Sequence, residues 1–343
     1  DSRRMPFLED ESVHLVITSP PYPMIEMWDP VFRELSPAAA EALDERRGWD
    51  AFEAMHAALE PVWREVTRLL RPGGILCLNI GDATRSVGGR FSLYPNHART
   101  LQTLLKLELE TLPGVIWRKP TNSPTKFMGS GMLPGSAYVT LEHEYILILR
   151  KGGARKFSRH EETPRRRSAL FWEERNQWYS DLWDLRGTRQ ALPDGASRKR
   201  SGAFPLEIPF RLLHMYSIQG DTLLDPFGGT GTTALAAAAA GRSSITVERD
   251  RELSGRVSAL LRQGLAAGRE RVIRRLLEHE GFEERYRRET GKPLPYPNEP
   301  LGTRVRTRQE RELLPLIPGE LEGEGALLRL RYQGAREEPA QLD

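Results

Sequence analysis

The chain alternates between short, nearly continuous apolar runs and longer stretches in which apolar residues recur every three or four positions. That alternation predicts buried strands separated by amphipathic helices. Residues 14–19 (HLVITS) are apolar and β-branched and stop at Pro20-Pro21, which cannot continue a hydrogen-bonded ladder, so they predict a buried strand that delivers a loop. Residues 51–70 carry Phe52, Met55, Leu59, Val62, Trp63, Val66 and Leu69 at helical spacing, with Pro72-Gly73-Gly74 as the stop. A strand over 75–80, a helix over 98–109 and strands over 115–117 and 144–149 follow. Strand and helix alternate, which predicts an α/β fold on a mostly parallel, doubly wound sheet.

The pattern breaks after Arg150. Residues 151–200 are basic, aromatic (Phe157, Phe171, Trp172, Trp178, Tyr179, Trp183) and poor in periodicity, and they are expected to form a separate insert. Alternation resumes with a helix near 205–216, a strand over 222–225, a helix over 232–240, a strand over 244–248 and a helix after Asp250. From Gly281 the chain is rich in Arg, Glu, Pro and Gly, with one hairpin expected between 313 and 332. The expected division is a catalytic half at 1–150, the insert at 151–200, a cofactor-binding half at 201–264 and a C-terminal helix with a charged appendage at 265–343.

Hydrophobic residues make up 39% of the 343 and charged residues 28%, enough for a substantial core. The formal net charge is only +3, but residues 151–200 hold 13 Lys or Arg against 7 Asp or Glu. Such concentration favours a polyanionic partner, a nucleic acid, and Arg165, Arg166 and Arg167 are its densest cluster. One cysteine, Cys77, excludes a disulfide framework and a cysteine-zinc cluster, and the seven histidines lack metal-ligand spacing. No apolar run approaches the ~20 residues of a bilayer span, so the expected location is cytoplasmic.

Residues 223–234 (LLDPFGGTGTTA) read as strand, glycine loop and helix, which aims backbone N–H groups at a ligand. Gly229, Gly231 and Ala234 satisfy G-x-G-x-x-A, and Glu248 lies at the end of the next strand, where an acid would hold ribose hydroxyls. No lysine follows the glycines, so a phosphate-binding P-loop is excluded, while a nicotinamide-dependent oxidoreductase would share this much. Thr18-Ser19-Pro20-Pro21-Tyr22 at a strand end is the second constellation, and a dehydrogenase has no use for it.

Together the two motifs resemble the S-adenosylmethionine-dependent DNA amino-methyltransferases. Ser19 to Tyr22 match that family's catalytic [DNS]-P-P-[YFW] loop, and Phe227, Gly229 and Gly231 match its F-x-G-x-G cofactor loop. The catalytic loop precedes the cofactor loop, which resembles the β arrangement, and in it the intervening segment is the target recognition region. By this resemblance Ser19, Pro20, Pro21 and Tyr22 act on a base of double-stranded DNA. Asp1, Thr18, Phe204, Asp225, Pro226, Phe227, Gly229, Thr230, Gly231, Thr232 and Glu248 line the S-adenosyl-L-methionine site. Asp1-Ser2 is similar to the end of a Gly-Asp-Ser motif, and residues 202–205 to the element before the cofactor loop. Serine at the first catalytic position implies cytosine N4, with adenine N6 as the alternative, and a restriction-modification context with a companion endonuclease.

The chemistry suits an amine target. The lone pair of an aromatic amino group is delocalised into the ring and must be drawn toward an electrophilic methyl by hydrogen-bond acceptors. The Ser19 hydroxyl and the Pro20 carbonyl could supply them, while Tyr22 offers a face on which a flipped base stacks. Methylation at cytosine C5 needs a cysteine nucleophile after proline, whereas Cys77 sits in the middle of a strand.

Overall fold

The computed structural model describes residues 1–119, 128–129, 134–135, 137–187, 204–323 and 327–334. In chain order the first half contains β1 (Val13–Thr18), α1 (Asp29–Leu35), α2 (Pro37–Asp44), α3 (Gly48–Leu69), β2 (Leu70–Ile80), β3 (Ala83–Val87), β4 (Arg90–Tyr94), α4 (Asn96–Lys106) and β5 (Leu109–Arg118). Then come the short β6 (Met128–Gly129) and β7 (Ala137–Tyr138), β8 (His143–Lys151), α5 (Glu162–Arg167), α6 (Trp172–Trp178) and β9 (Leu182–Asp184). The second half adds α7 (Glu207–Tyr216), β10 (Thr222–Asp225), α8 (Thr232–Ala239), β11 (Ser243–Thr246) and α9 (Arg251–Thr290). It closes with the hairpins β12 (Tyr296–Asn298) with β13 (Thr303–Val305) and β14 (Leu316–Glu322) with β15 (Arg329–Gly334).

The seven-stranded sheet runs β11-β10-β1-β2-β8-β5-β9. All its pairings are parallel except those of β8, which runs antiparallel to both β2 and β5. The carboxyl ends of six strands and the start of β8 therefore share one edge, where open α/β sheets place their ligands.

Alternation along the strands sorts the core into two layers. Leu76, Leu78 and Ile80 of β2 face one layer with Phe52, Met55 and Trp63 of α3, whereas Ile75 and Cys77 face the other with Ile208 and Phe210 of α7 and Ala236 of α8. The expected α/β doubly wound architecture is thus present, and Cys77 is a fully buried core residue.

Two expected boundaries do not hold. Residues 151–187 are no separate insert: Trp178 and Trp183 are buried in the second layer, and β9 pairs in parallel with β5 as the seventh strand. A seven-residue helix such as α6 is too short to display a period, which is why the segment reads as irregular. Residues 188–203 lie outside the described part. The boundary at 264/265 falls inside α9, a 40-residue helix capped by the Asp250 side chain on the N–H groups of Glu252 and Leu253. The tail is no loose appendage, because Val305 and Leu313 pack on Phe171 and the hairpin expected within 313–332 forms as β14 and β15.

Candidate active site

Thr18 ends β1 and Asp225 ends β10, and the register of the two parallel strands brings these ends together. The Thr18 hydroxyl donates to Asp225 Oδ1 at 2.7 Å, and Thr233 of α8 donates to Oδ2 at 2.7 Å. The Phe227 N–H also donates to Oδ1, at 3.0 Å. Burial pushes this carboxyl up to about 6, against the pull of those three hydrogen bonds, with Glu248 adding a smaller upward push. The Thr18–Asp225 hydrogen bond thus locks the two motif-bearing strand ends side by side, with Thr233 and Phe227 holding the same carboxylate.

The glycine loop follows. Gly231 caps α8 with φ +82°, a conformation that favours glycine, and a Cβ on Gly228 would lie 2.0 Å from Thr246 Cγ2, so the loop presses against β11. That contact brings Glu248 over the loop: Gly229 N–H donates to its Oε2 at 2.7 Å and Asp250 N–H to its Oε1 at 2.8 Å. Each oxygen keeps a lone pair for a further donor. Phe227 packs edge-to-face on Trp63 with centroids 5.9 Å apart.

Across the cleft, Pro20 is buried while Ser19, Pro21 and Tyr22 are partly exposed. Met24, with φ +67°, closes the turn, and its N–H meets Met55 Sδ at 3.3 Å. Asn96, fully buried at the start of α4, donates to Pro23 O and to Gly81 O at 3.0 Å each, and its Oδ1 meets His56 Nε2 at 3.0 Å. Burial lowers His56 to about 3, so the ring is neutral. The catalytic loop is therefore stitched to the loop after β2.

Inside the cleft Ser19 Oγ lies 3.0 Å from Tyr22 Oη. Tyr22 Oη lies 2.9 Å from Glu144 Oε2 and 2.7 Å from Asn79 Nδ2, which also donates to Glu144 Oε2 at 2.6 Å. Lys119 pairs with Glu144 Oε1. Burial, with Glu144 beside it, raises the Tyr22 phenol well above its ordinary value, so it keeps its proton. Asn79, Lys119 and Glu144 escape a reading of the sequence because they stand on or beside β2, β5 and β8, far along the chain from Ser19.

The remaining expected site residues divide between the glycine loop and other parts of the fold. The Asp1 carboxylate is taken by the Arg3 guanidinium. Phe204 is buried in the second core layer, so packing is its visible role. Pro226 is buried, and Thr230 and Thr232 lie partly buried in the glycine loop and the first turn of α8. Arg165, Arg166 and Arg167 are exposed at the opposite end of the sheet. Next to them Ser168 Oγ accepts from Gln219 N–H at 2.7 Å, just ahead of β10, and Arg155 nearby pairs with Asp221. Arg166 pairs with Glu312 at 2.8 Å and Arg165 lies 4.1 Å from the Phe157 ring centroid. β1 alone separates the two ends by about 17 Å, so this cluster is not on the catalytic edge. Among the described residues no cluster of metal-binding side chains occurs, and no helix is long and apolar enough to cross a membrane.

The N6/N4 amino-methyltransferase family model, described as DNA methylase, matches residues 13–255. The type II methyltransferase M.MthZI of Methanothermobacter thermautotrophicus is 51% identical over 316 residues, 91% of this chain and 87% of that one. M.MjaI of Methanocaldococcus jannaschii is 49% identical over 264 residues, 74% of this chain and 86% of that protein. Among solved structures, a putative DNA modification methylase of Thermus thermophilus in complex with S-adenosyl-L-methionine is 33% identical, with TM-score 0.57, over 75% of this chain and 89% of its own. The PvuII cytosine-N4-specific DNA methyltransferase, 17% identical with TM-score 0.50 over 74% of this chain and 80% of its own, shares the fold.

Proposed function

We propose that this chain, which belongs to the DNA methylase family, transfers the methyl group of S-adenosyl-L-methionine to N4 of cytosine in duplex DNA. S-adenosyl-L-methionine is the cofactor, and the residues present fit it. The Gly228–Gly231 turn leaves open space where a Cβ on Gly229 would stand, only Phe227 O lying within 4 Å of that point at 3.9 Å, and Glu248 keeps two acceptor positions beside it for ribose hydroxyls. When bound, the cofactor supplies an electrophilic methyl on a sulfonium.

The chain's own residues do the rest. The observation that carries the reading is the Thr18–Asp225 hydrogen bond, which sets the Ser19–Tyr22 loop against the glycine loop on one sheet edge. Ser19 Oγ accepts from the target amine and with the Pro20 carbonyl draws the nitrogen lone pair out of the ring, the kind of preorganised stabilisation that acts mainly as charge develops. Tyr22 presents the ring on which the base rests once out of the duplex. Serine rather than aspartate or asparagine at position 19 supports cytosine over adenine, as the family resemblance implies. A companion restriction endonuclease of the same specificity belongs to this reading.

Duplex DNA methylated in vitro and digested to nucleosides is expected to yield N4-methyldeoxycytidine, separated from its C5 isomer by retention time and identified by mass. N6-methyldeoxyadenosine as the product would overturn the cytosine assignment and leave family membership intact.

A further inference from the structure

A serine hydroxyl can donate as readily as it accepts, and a donor aimed at an amino group would repel it. We infer that Glu144, clamped by Lys119, is a positioning residue that fixes the direction of the hydrogen-bond chain in the cleft and so keeps Ser19 Oγ an acceptor toward the target amine. The inference rests on the role given to Ser19 above.

The direction follows from counting hydrogens. Tyr22 Oη has three neighbours: Glu144 Oε2 at 2.9 Å, Asn79 Nδ2 at 2.7 Å and Ser19 Oγ at 3.0 Å. A carboxylate oxygen only accepts and an amide NH2 only donates. The phenol therefore gives its single hydrogen to Glu144 and accepts from Asn79, which leaves Ser19 only one way to bond to it, as the donor. With its hydrogen turned inward, Ser19 shows lone pairs to the cleft. Raised well above the ordinary range, the phenol does not ionise and break the chain.

Three further features maintain Glu144 in that role. Lys119 holds its other oxygen, Oε1, and lies 4.3 Å from the Trp117 ring centroid, which gives the ammonium a fixed seat. Asn79 donates to both Glu144 and Tyr22, so the carboxylate and the phenol are aligned by one amide. Gly81 leaves room for their meeting, since a Cβ there would lie 3.1 Å from both Glu144 Cγ and the Tyr22 ring. The antiparallel run of β8 brings the second residue of a strand to an edge built otherwise from strand ends.

Glu144→Gln tests this with little change of shape. Lys119 would hold the amide oxygen of the new side chain, so its NH2 would face Tyr22 Oη and push aside Asn79 Nδ2, a donor that Glu144 Oε2 had accepted from. The phenol would then donate to Ser19, and the serine hydrogen would point at the incoming amine. Single-turnover transfer of tritiated methyl to unmethylated genomic DNA fragments should fall by about 10²-fold, the usual scale for one misplaced group in a preorganised site. Cofactor and DNA dissociation constants should stay within about twofold, because Glu144 is engaged by Tyr22, Asn79 and Lys119 rather than by the glycine loop, and DNA affinity rests mainly on phosphate contacts.

In a Tyr22→Phe background no hydroxyl transmits the change, so Glu144→Gln should alter the rate by less than about threefold. A structural role would instead give equal losses in both backgrounds, and that result overturns the inference, as does a parental rate for Glu144→Gln alone. If Glu144→Gln does not fold, Tyr22→Phe by itself frees the serine hydrogen and should slow transfer about tenfold with DNA binding retained; a parental rate there also overturns it. Ser19→Ala separates the levels: a parental rate in that variant defeats the role of Ser19 itself, whereas a slow Ser19→Ala beside an unaffected Glu144→Gln defeats only the inference about Glu144.

Discussion

Asp225→Asn probes the strand end on which the whole cleft is built. The carboxyl is buried and its folded value is about 6, against an ordinary 3.8, because burial disfavours the charge more than its hydrogen bonds from Thr18, Thr233 and Phe227 favour it. Between those two values the native state keeps a proton that the unfolded chain has released. Stability must therefore fall as pH rises through that window. At about 1.36 kcal/mol per pH unit the loss totals about 3 kcal/mol, complete by neutral pH. Asparagine keeps the shape: its oxygen can still accept from Thr18 and Phe227, and its NH2 can donate to Thr233, whose hydroxyl can turn toward Ile17 O, 3.5 Å away. The variant should thus gain about 3 kcal/mol on the parent between about pH 4 and 7.5, the charge having been removed. Guanidinium denaturation followed by tryptophan fluorescence at several pH values, without cofactor, measures it. A difference that stays constant across the range, or grows in the opposite sense, refutes the reasoning.

Other outcomes follow from the same geometry. Asn96→Ala strips two donors from Pro23 O and Gly81 O and should cost about 1–3 kcal/mol per orphaned carbonyl in thermal or denaturant unfolding, with slower methyl transfer as the catalytic loop loosens. Glu248→Ala should weaken S-adenosyl-L-methionine binding by about 1–3 kcal/mol in calorimetry and leave a correctly folded chain; unchanged affinity removes Glu248 from the cofactor site. Arg275→Met leaves buried Glu174, its partner at 2.5 and 2.8 Å, without a counter-charge and should destabilise by about 3–5 kcal/mol, part of which Glu174→Gln added to it should restore. Replacing Arg165, Arg166 and Arg167 together with Gln should leave the salt dependence of DNA binding unchanged, whereas a log-log slope lower by about 0.9 for each lost phosphate contact would place them on the DNA after all.

What the sequence discloses here is what short segments decide. Ser19-Pro20-Pro21-Tyr22 and the Phe227–Gly231 loop are legible because a strand followed at once by a special turn is a local event, and the hydrogen bond from Gly229 to Glu248 spans only 19 residues. Glu144 is legible as part of a strand but not as a partner of Tyr22, 122 residues earlier, because that meeting depends on β8 running against its neighbours. Periodicity cannot give a strand's direction. The same limit misplaces the arginine cluster: charge density along the chain does not say at which end of a sheet the charge emerges. Trp178 and Trp183 show the converse, since aromatic residues in an aperiodic basic stretch read as an insert apart from the sheet, yet they fill the core beneath α7 and α8.

The pinch between β5 and β8 separates two kinds of change. Lys119 N–H donates to Glu142 O at 2.7 Å, and its side chain pairs with Glu144, so the chain that leaves β5 and returns to β8 is fastened at its base by both backbone and side chain. A fastening of that kind takes up strain between Lys119 and Glu142 before it reaches Glu144. Doubling such a stretch costs only about 0.6 kcal/mol in closure entropy. Change beyond the fastening can therefore accumulate while the reaction centre stays fixed.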